Sequence, residues 1–508
     1  MISRIISGAI QGIDGCLVEV EVNIGYETPG FSVVGLPDAA VKESTYRVTA
    51  ALKNSRFELP FGRITINLAP ADIKKEGSAF DLPIALGILA ADGIVKKKQL
   101  DQFIILGELS LDGRVKPVKG ALSIAAMAKE KGISGVILPK ENANEAAVVE
   151  GVNIYPVETL RSALEFVNGE TPIEPISIDI RQEFFNNSSY ELDLADVKGQ
   201  QHVKRALEIA AAGGHNILLI GPPGSGKSML AKRIPSILPS FSLQEAIETT
   251  KVHSTAGRLQ NGLLTKRPFR SPHHTISDAG LIGGGRNPMP GEVSMANNGV
   301  LFLDELPEFK RNVLEVLRQP LEDGNVTISR SAGSLTYPAN FMLVAAMNPC
   351  PCGYKTDPKR ECNCSPLNIK KYLAKISGPL LDRIDLHIEV PALEYKELSN
   401  ESGGTSSEEI KERIETTRRK QFARFEETEI FSNAQMGTKQ LKVYCHLDQG
   451  GKSIMEMAID KLGLSARAHD RILKVARTIA DLAGSENLLS EHLAEAIQYR
   501  TLDRENSI

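Results

Sequence analysis

The sequence contains no tryptophan, and aromatic residues make up only 5% of its 508 residues. It also lacks an excess of basic residues, since its formal net charge at pH 7 is −4. No overall positive field therefore draws the chain to nucleic acid, and any such contact must use local basic patches. No segment approaches the ~20 apolar residues of a membrane-spanning helix, and the N-terminal residues lack the apolar core of a signal peptide. We expect a cytoplasmic protein without membrane contact.

Cysteine is scarce, but its distribution is uneven. Of the six cysteines, four lie in the segment CPCGYKTDPKRECNC, at Cys350, Cys352, Cys362 and Cys364. Disulfides are rare in the cytoplasm, so a metal site is the preferred interpretation. The spacing C-x-C-x9-C-x-C differs from the C-x2-C pairs common in zinc sites, yet four thiolates on two short turns can surround one ion. We predict Zn²⁺ here, with an iron–sulfur cluster or free thiols as alternatives.

The length of the chain and the order of its segments predict several domains. A chain of 508 residues exceeds one ordinary core. Strand-like and helix-like patterns alternate over residues 1–168, and a segment with prolines and polar residues, 169–195, is predicted to be a linker. Alternation resumes over 196–398, which predicts an α/β domain with a mainly parallel sheet. Residues 399–508 are predicted to be mostly helical.

A phosphate-binding loop is the most specific motif. The segment NILLIGPPGSGKSMLAKRI contains Gly221-x4-Gly226-Lys227-Ser228 between an apolar strand pattern and a helix pattern. In such a loop, glycines let backbone N–H groups surround the phosphates, the lysine reaches the β- and γ-phosphates, and the serine binds Mg²⁺. The predicted ATP-binding residues are Gly221, Pro222, Pro223, Gly224, Ser225, Gly226, Lys227 and Ser228.

Two further buried strand patterns end in polar side chains. GVLFLDELPEF ends its apolar run at Asp304 and Glu305, and FMLVAAMNP ends at Asn348. Asp304 is predicted to complete the Mg²⁺ shell with Ser228, and Glu305 to deprotonate the attacking water. If the two strands are adjacent, Asn348 should lie beside the γ-phosphate.

Two arginines are candidates for sensing or stabilising charge on the nucleotide. GPLLDRIDLHIEV places Arg383 before a strand, where it can reach the nucleotide of a neighbouring copy. A salt bridge to Asp382 or Asp385 is the structural alternative. The segment SARAHDR begins a helix, and its first arginine, Arg467, is predicted to sense the phosphates, with Arg471 as the alternative.

These motifs, in this order, resemble those of AAA+ ATPases over residues 196–503. The segments RPFRSPHHTISDAGLIGGG and PGEVSMANNGVLFLDELPEF resemble the magnesium-chelatase-like branch in particular. That resemblance implies a helical lid over 399–508, together with an insert at about 255–298 and a β-hairpin at about 326–338 that project into the pore of a ring.

The N-terminal segments KKEGSAFDLPIALGI and GELSLDGRVKPVKGALSIAAMAKEKGISGVILPKEN resemble the Lon-protease domain, which implies an α+β fold for 1–168. The Ser–Lys dyad of that family is missing. Its nucleophile aligns with Ala79 and its lysine with Leu122, while Ser78 is displaced by one position. A hydroxyl without a base is a poor nucleophile, so we expect no peptidase activity.

The combination of Lon-like domain, chelatase-like module and cysteine cluster is similar to the YifB/ComM family over nearly the whole length. The resemblance implies a hexameric ATPase that moves on branched DNA and promotes branch migration during natural transformation. A magnesium-chelatase-type motor subunit and a protein remodeller with an inactive protease-like domain are the alternatives. The candidate DNA contacts are Lys266, Arg267, Arg270, Arg286 and Arg330 in the inserts, and alternatively Lys355, Lys359 and Arg360 in the cysteine segment. His273 and His274 lie among the first group, and such a pair is also a possible metal site.

Overall fold

The computed structural model describes residues 2–75, 77–95, 97–180, 184, 190–259, 262–285, 288–330, 333–357, 359–392, 404–426, 428, 430–462 and 465–500. The chain divides into two compact units. The first unit comprises Met1–Asn187 and Leu243–Thr265, and the second comprises Ser188–Ser242 and Lys266–Ile508. The α/β fold class predicted from the sequence is confirmed.

The first unit is built on a seven-stranded mixed sheet. Its strands are Ile2–Gln11, Asp14–Gly25, Gly30–Val34, Arg63–Ala69, Phe103–Ile105, Gly135–Pro139 and Asn153–Val157, with a separate short pair, Glu108–Leu109 and Val115–Lys116. The strand Asp14–Gly25 is antiparallel to both of its neighbours, Ile2–Gln11 and Arg63–Ala69. All other pairings in this sheet are parallel. Its helices are Ala39–Asn54, Asp81–Ala91, Ala121–Glu130, Ala143–Ala146, Leu160–Val167 and Leu243–Thr255, with 3₁₀ turns at Lys97–Gln102 and Lys140–Asn142.

Every residue of the helix Asp81–Ala91 is buried, in accord with its almost wholly apolar sequence. Asp81 is the charged residue of this helix, and its carboxylate accepts hydrogen bonds from the Arg47 guanidinium at 2.6 Å and from the Ser44 hydroxyl at 2.5 Å. A buried acid is tolerated when it is paired in this way. This helix therefore supplies much of the core of the first unit.

The limits of the units differ from the expected domains at two places. The N–H of Ile176, in the predicted linker, bonds to the Ile154 carbonyl at 2.9 Å, so this part of 169–195 lies along the first unit. The helix Leu243–Thr255, expected within the ATPase domain, also belongs to the first unit. Its Ser254 hydroxyl accepts from the Gly120 N–H at 2.9 Å and donates to buried Glu145.

The second unit is built on a five-stranded sheet whose pairings are all parallel. In sheet order its strands are Phe269–Arg270, Val300–Leu303, Met342–Met347, Ile217–Ile220 and Leu386–Glu389. Two small antiparallel pairs accompany it, Gly283–Gly284 with Met289–Pro290 and Asn325–Arg330 with Gly333–Pro338. The region 255–298, expected as an insert, thus also supplies the edge strand of this sheet.

The helices of the second unit cover the sheet and form the C-terminal part of the chain. They are Gln201–Gly213, Lys227–Ile237, Asp278–Ile282, Glu292–Met295, Arg311–Glu315, Arg318–Asp323, Pro366–Leu373, Gly378–Leu381, Ser407–Arg424, Thr438–Tyr444, Gln449–Leu462, Ala466–Leu482 and Ser490–Gln498, with 3₁₀ turns at Leu194–Asp196, Leu306–Glu308 and Asn433–Gln435. The C-terminal helices share one apolar core with the sheet. Within the described ranges, no helix combines the length and apolarity needed to cross a bilayer.

Candidate active site

The parallel sheet of the second unit brings several polar side chains to one edge. The strands Ile217–Ile220, Val300–Leu303 and Met342–Met347 are neighbours, with the last between the other two. Because parallel strands end on the same side of a sheet, the segments that follow them meet there. These segments carry the phosphate-binding motif, the acidic pair at 304–305 and Asn348.

The phosphate-binding loop has the backbone shape that its glycines permit. Gly224 and Gly226 adopt φ values of +78° and +89°, which side-chain-bearing residues rarely adopt, and a Cβ at Gly224 would enter open space. Lys227 begins the helix Lys227–Ile237, and its Nζ donates to the carbonyls of Gly221 at 2.7 Å and Pro222 at 2.9 Å. The loop is therefore an open cradle of backbone N–H groups beside an ammonium group, which suits a chain of phosphates.

The predicted Mg²⁺ ligands are in contact with each other. The hydroxyl of Ser228, in the helix Lys227–Ile237, donates to Oδ2 of Asp304, which follows the strand Val300–Leu303, at 2.7 Å. Burial lowers the pKa of the Lys227 ammonium, and the nearby Asp304 and Glu305 carboxylates oppose that shift. A hydroxyl and a carboxylate side by side, next to a phosphate cradle, are the donors that Mg²⁺ takes in nucleotide sites. The residues present thus fit MgATP.

Gln200 supports the loop and was missed by the sequence analysis. Its side-chain amide donates to the Ser225 carbonyl and to the Pro391 carbonyl, each at 3.0 Å. It therefore ties the loop to the segment after the last strand of the sheet. A Gly-Gln pair just before the helix Gln201–Gly213 was the available signal, but nothing local in the sequence links it to Ser225.

Glu305 has an unexpected partner. Its backbone lies at φ +53°, and its Oε2 is 3.4 Å from Nδ1 of His274. His274 follows the edge strand Phe269–Arg270, which is parallel to the strand ending before Asp304, so topology brings the two side chains together. The Glu305 side chain is 59% exposed, which leaves a carboxylate oxygen accessible to water. The sequence analysis placed His274 among the candidate DNA contacts and did not indicate that it lies beside Glu305.

Asn348 lies beside Lys227. It follows the central strand Met342–Met347, and its Oδ1 is 3.4 Å from Nζ of Lys227. The strand pairs with both of its neighbours in register over four residues. The amide is thus next to the ammonium that is expected to contact the terminal phosphates.

The candidate arginines are held by carboxylates of their own unit. Arg383 pairs with Glu322, rather than with Asp382 or Asp385, and its side chain is 9% exposed. Arg467 is 63% exposed, with Nη1 at 3.7 Å from Asp382.

Arg471 differs because its guanidinium pairs with the buried Asp385. Burial alone would raise the pKa of Asp385, but Arg471 and His215 outweigh it and hold this pKa well below its usual range. Arg471 is therefore paired with a buried carboxylate, whereas the Arg467 side chain is mostly exposed.

The four clustered cysteines come together in space. Their Sγ atoms all lie within 4.8 Å of one another, and those of Cys350, Cys352 and Cys362 are separated by 3.3–3.6 Å. The backbone N–H of Tyr354 bonds to the Cys352 sulfur, and this bond, together with Cys350, lowers the pKa of the Cys352 thiol to about 6, whereas burial and Cys352 raise the pKa values of Cys362 and Cys364. Thiolates are the form that binds metal.

Several predicted DNA contacts are occupied within the second unit. Arg267 donates to the carbonyls of Pro239 and Asn298, both at 2.6 Å, and Arg270 forms a two-point ion pair with Glu292. Arg286 and the side chain of Arg330 lie outside the described residues. In the cysteine segment, Lys355, Lys359 and Arg360 are exposed.

In the first unit, the positions aligned with a protease dyad carry no dyad. Leu122 is fully buried, and its N–H donates to Glu145 at 3.0 Å. The hydroxyl of Ser78, next to Ala79, donates to the Glu108 carboxylate. The described surroundings of this serine thus offer an acid as its partner.

Comparisons with known proteins match both units. Residues 193–398 match the family described as magnesium chelatase, subunit ChlI; residues 20–142 match subunit ChlI of Mg-chelatase; and residues 404–500 match the C-terminal part of magnesium chelatase subunit ChlI.

Full-length relatives are more informative. The chain is 47% identical over 505 residues to competence protein ComM of Haemophilus influenzae, covering 98% of this chain and 97% of that protein. It is 43% identical over 501 residues to the uncharacterized protein YifB of Escherichia coli, covering 98% and 96%. Similarity to Lon protease 2 of Bacillus subtilis is partial, at 27% identity over 189 residues, covering 33% of this chain and 34% of that protein.

Proposed function

The chain belongs to the ComM/YifB family, and from this premise we propose that it is an ATP-hydrolysing motor that assembles into a hexameric ring and moves on branched DNA. The observation that supports the ATPase part is the meeting of Lys227, Ser228, Asp304 and Asn348 at one edge of the sheet. The DNA part rests on full-length similarity to a protein named for competence. The resulting activity is branch migration during natural transformation.

The side chains of the site divide the work of hydrolysis. Lys227 would exchange its two carbonyl partners for phosphate oxygens. Ser228 and Asp304 would hold Mg²⁺, which would neutralise phosphate charge when bound. Glu305 accepts the proton of the attacking water, and Asn348 orients the water or the terminal phosphate.

The two arginines complete the site from other positions. Arg383 leaves Glu322 and reaches the nucleotide of the adjacent subunit, where a guanidinium stabilises charge in the transition state. Arg467 reports nucleotide binding to the C-terminal helices. We therefore propose that hydrolysis depends on the assembled ring.

DNA is proposed to be held by local cations, because the net charge of the chain is −4. With Arg267 and Arg270 occupied within the second unit, the exposed Lys355, Lys359 and Arg360 are the better candidates. Such contacts bind phosphates without reading sequence. We propose Zn²⁺ at the adjacent cysteines, because their four sulfurs lie within 4.8 Å of one another, and we propose a cytoplasmic location.

The test is the rate of ATP hydrolysis by the full chain with no polymer, with duplex DNA, with branched DNA and with unfolded protein. We expect branched DNA to stimulate hydrolysis several-fold more than the others, and to be migrated in an ATP-dependent manner. Stimulation by unfolded protein alone would indicate a protein remodeller. Hydrolysis that responds to neither polymer would contradict the DNA proposal and favour a chelatase-type motor subunit.

A further inference from the structure

The segment that joins the four cysteines is largely exposed to solvent. Among the described residues of 351–365, only Gly353 is buried, and none belongs to a helix or a strand. Hydrogen bonds within it join the Lys359 N–H to Asp357 at 2.7 Å and the Arg360 guanidinium to the Tyr354 hydroxyl at 2.8 Å. A segment with so little buried surface gains little from burial to offset the conformational entropy that is lost when its backbone is fixed.

The four sulfurs have the arrangement that one metal ion requires. With Zn–S bonds of about 2.3 Å, the sulfurs of a tetrahedral site are separated by about 3.8 Å. The separations of 3.3 Å and 3.6 Å among three of the sulfurs are near that value, and all four sulfurs lie within 4.8 Å. Cys350 is fully buried and lies three residues after the central strand Met342–Met347, so one ligand is fixed in the core. The other three ligands lie in the largely exposed segment.

The turn made by the first two cysteines touches the phosphate-binding loop. The Gly353 N–H bonds to the Cys350 carbonyl at 3.0 Å and closes this turn. A Cβ added at Gly353 would lie 2.7 Å from Cδ of Pro223, which is within the loop, and 3.8 Å from Cγ of Asn348. The backbone of the cysteine turn therefore packs directly on the loop, with no side chain between them.

From these contacts we infer that Zn²⁺ bound by the four cysteines presses the turn at 350–353 against Pro223, and that metal occupancy thereby sets the affinity of the site for nucleotide. The inference rests on the proposed function only in taking the loop to bind ATP. Removing the ion releases the turn, and the loop loses the surface that holds Pro223 in place. The metal is thus structural for the ATP site and takes no part in hydrolysis.

The first experiment compares Cys362→Ser with Cys16→Ser in the full-length chain. Cys16 is a half-buried thiol outside the cluster, so its variant controls for the loss of a cysteine. Elemental analysis should find about one zinc ion per chain in the wild type and the control, and none in Cys362→Ser. Without DNA, Cys362→Ser should bind a fluorescent ATP analogue about tenfold more weakly than the wild type and the control, which corresponds to roughly 1.4 kcal/mol. A zinc-selective chelator should reproduce the loss, and added Zn²⁺ should reverse it.

The second experiment keeps all four thiols and disturbs the contact alone. In Gly353→Ala the metal should remain bound while nucleotide binding weakens, because the new methyl group collides with Pro223. Gly93→Ala is the control, since Gly93 has φ +86° against +88° for Gly353 but nothing within 4 Å of the added Cβ. This pair of variants tests the contact between the turn and Pro223 even if the cysteine variants fail to fold.

A wild-type chain that binds no zinc would overturn the inference. So would a Gly353→Ala chain that binds nucleotide as tightly as Gly93→Ala. None of these measurements includes DNA, so a failure of DNA stimulation would reject the proposed motor function and leave this inference standing.

Discussion

The two units differ in whether they carry the reactive side chains of the families that they resemble. In the second unit, Lys227 and Asp304 follow different strands and lie in one polar cluster with Ser228. In the first unit, the positions aligned with the protease dyad are Ala79 and the buried Leu122. The predicted nucleotide-binding groups of the second unit therefore lie together, whereas the aligned positions of the first unit carry neither the nucleophile nor the lysine of the dyad. We expect substitutions to have large effects in the second unit and small ones in the first.

The largest effect is expected for Lys227→Ala, which removes the ammonium beside the phosphate cradle. Binding of ATP and its hydrolysis should both be lost. Lys232→Ala, which changes an exposed lysine on the same helix, should retain both. Equilibrium binding of a labelled nucleotide provides the measurement, and tight binding by Lys227→Ala would show that the loop is not the site.

Glu305→Gln should separate binding from turnover. The amide cannot accept a proton, so hydrolysis should fall by about 100-fold or more while nucleotide affinity is retained. Glu308→Gln is the control, because Glu308 lies three residues later and pairs with Lys375 at 3.3 Å. Normal single-turnover hydrolysis by Glu305→Gln would remove Glu305 from the role of base.

Arg383→Ala tests whether neighbouring subunits share a site. Alone, it should lower turnover by about 1000-fold. Mixed with Lys227→Ala subunits, it should regain partial activity wherever an intact loop meets an intact arginine.

Glu322→Gln serves as the control for Arg383→Ala, since it breaks the observed ion pair and leaves the arginine in place. It should retain most of the activity. Equal losses in Arg383→Ala and Glu322→Gln, with no recovery on mixing at any ratio, would mean that the ion pair is structural.

His274→Ala should have a smaller effect. Loss of the imidazole 3.4 Å from Glu305 changes the position of the base but not the nucleotide-binding groups. We expect a change of a few-fold in kcat with little change in KM. Steady-state kinetics at several pH values would test this, and a pH profile identical to that of the wild type would argue against a positioning role.

The smallest effect is expected in the first unit. Ser78→Ala removes a hydroxyl whose partner is the Glu108 carboxylate, so ATP hydrolysis and its response to DNA should be unchanged. The wild-type chain should not cleave unfolded protein. Peptidase activity that disappears in Ser78→Ala would reveal a different catalytic arrangement.

Local motifs allowed much of the fold and site to be predicted, and the comparisons confirm the family. The phosphate-binding loop is contiguous, and the strand patterns that end at Asp304 and Asn348 occur as the strands Val300–Leu303 and Met342–Met347. What the sequence could not supply were contacts between distant segments. Gln200 with Pro391 and His274 with Glu305 depend on which strands are neighbours.

Charge alone did not predict how the basic side chains of the predicted insert are paired. Arg267 and Arg270 have basic side chains in a predicted insert, yet the structure uses them for carbonyl and carboxylate partners. The helix Leu243–Thr255 reads as part of the ATPase domain, because nothing local shows that Ser254 meets Glu145. Long-range pairing, and not propensity, decided these cases.

The claim at the centre of this account is that ATP is hydrolysed between neighbouring copies of the chain, and the mass of the assembly tests it most directly. Glu305→Gln, which should bind ATP without consuming it, can be measured with ATP and a forked oligonucleotide by light scattering or sedimentation. We predict a complex with about six times the 55.2 kDa mass of one chain plus that of the DNA. A species that stays at the mass of a single chain while nucleotide is bound would contradict the account.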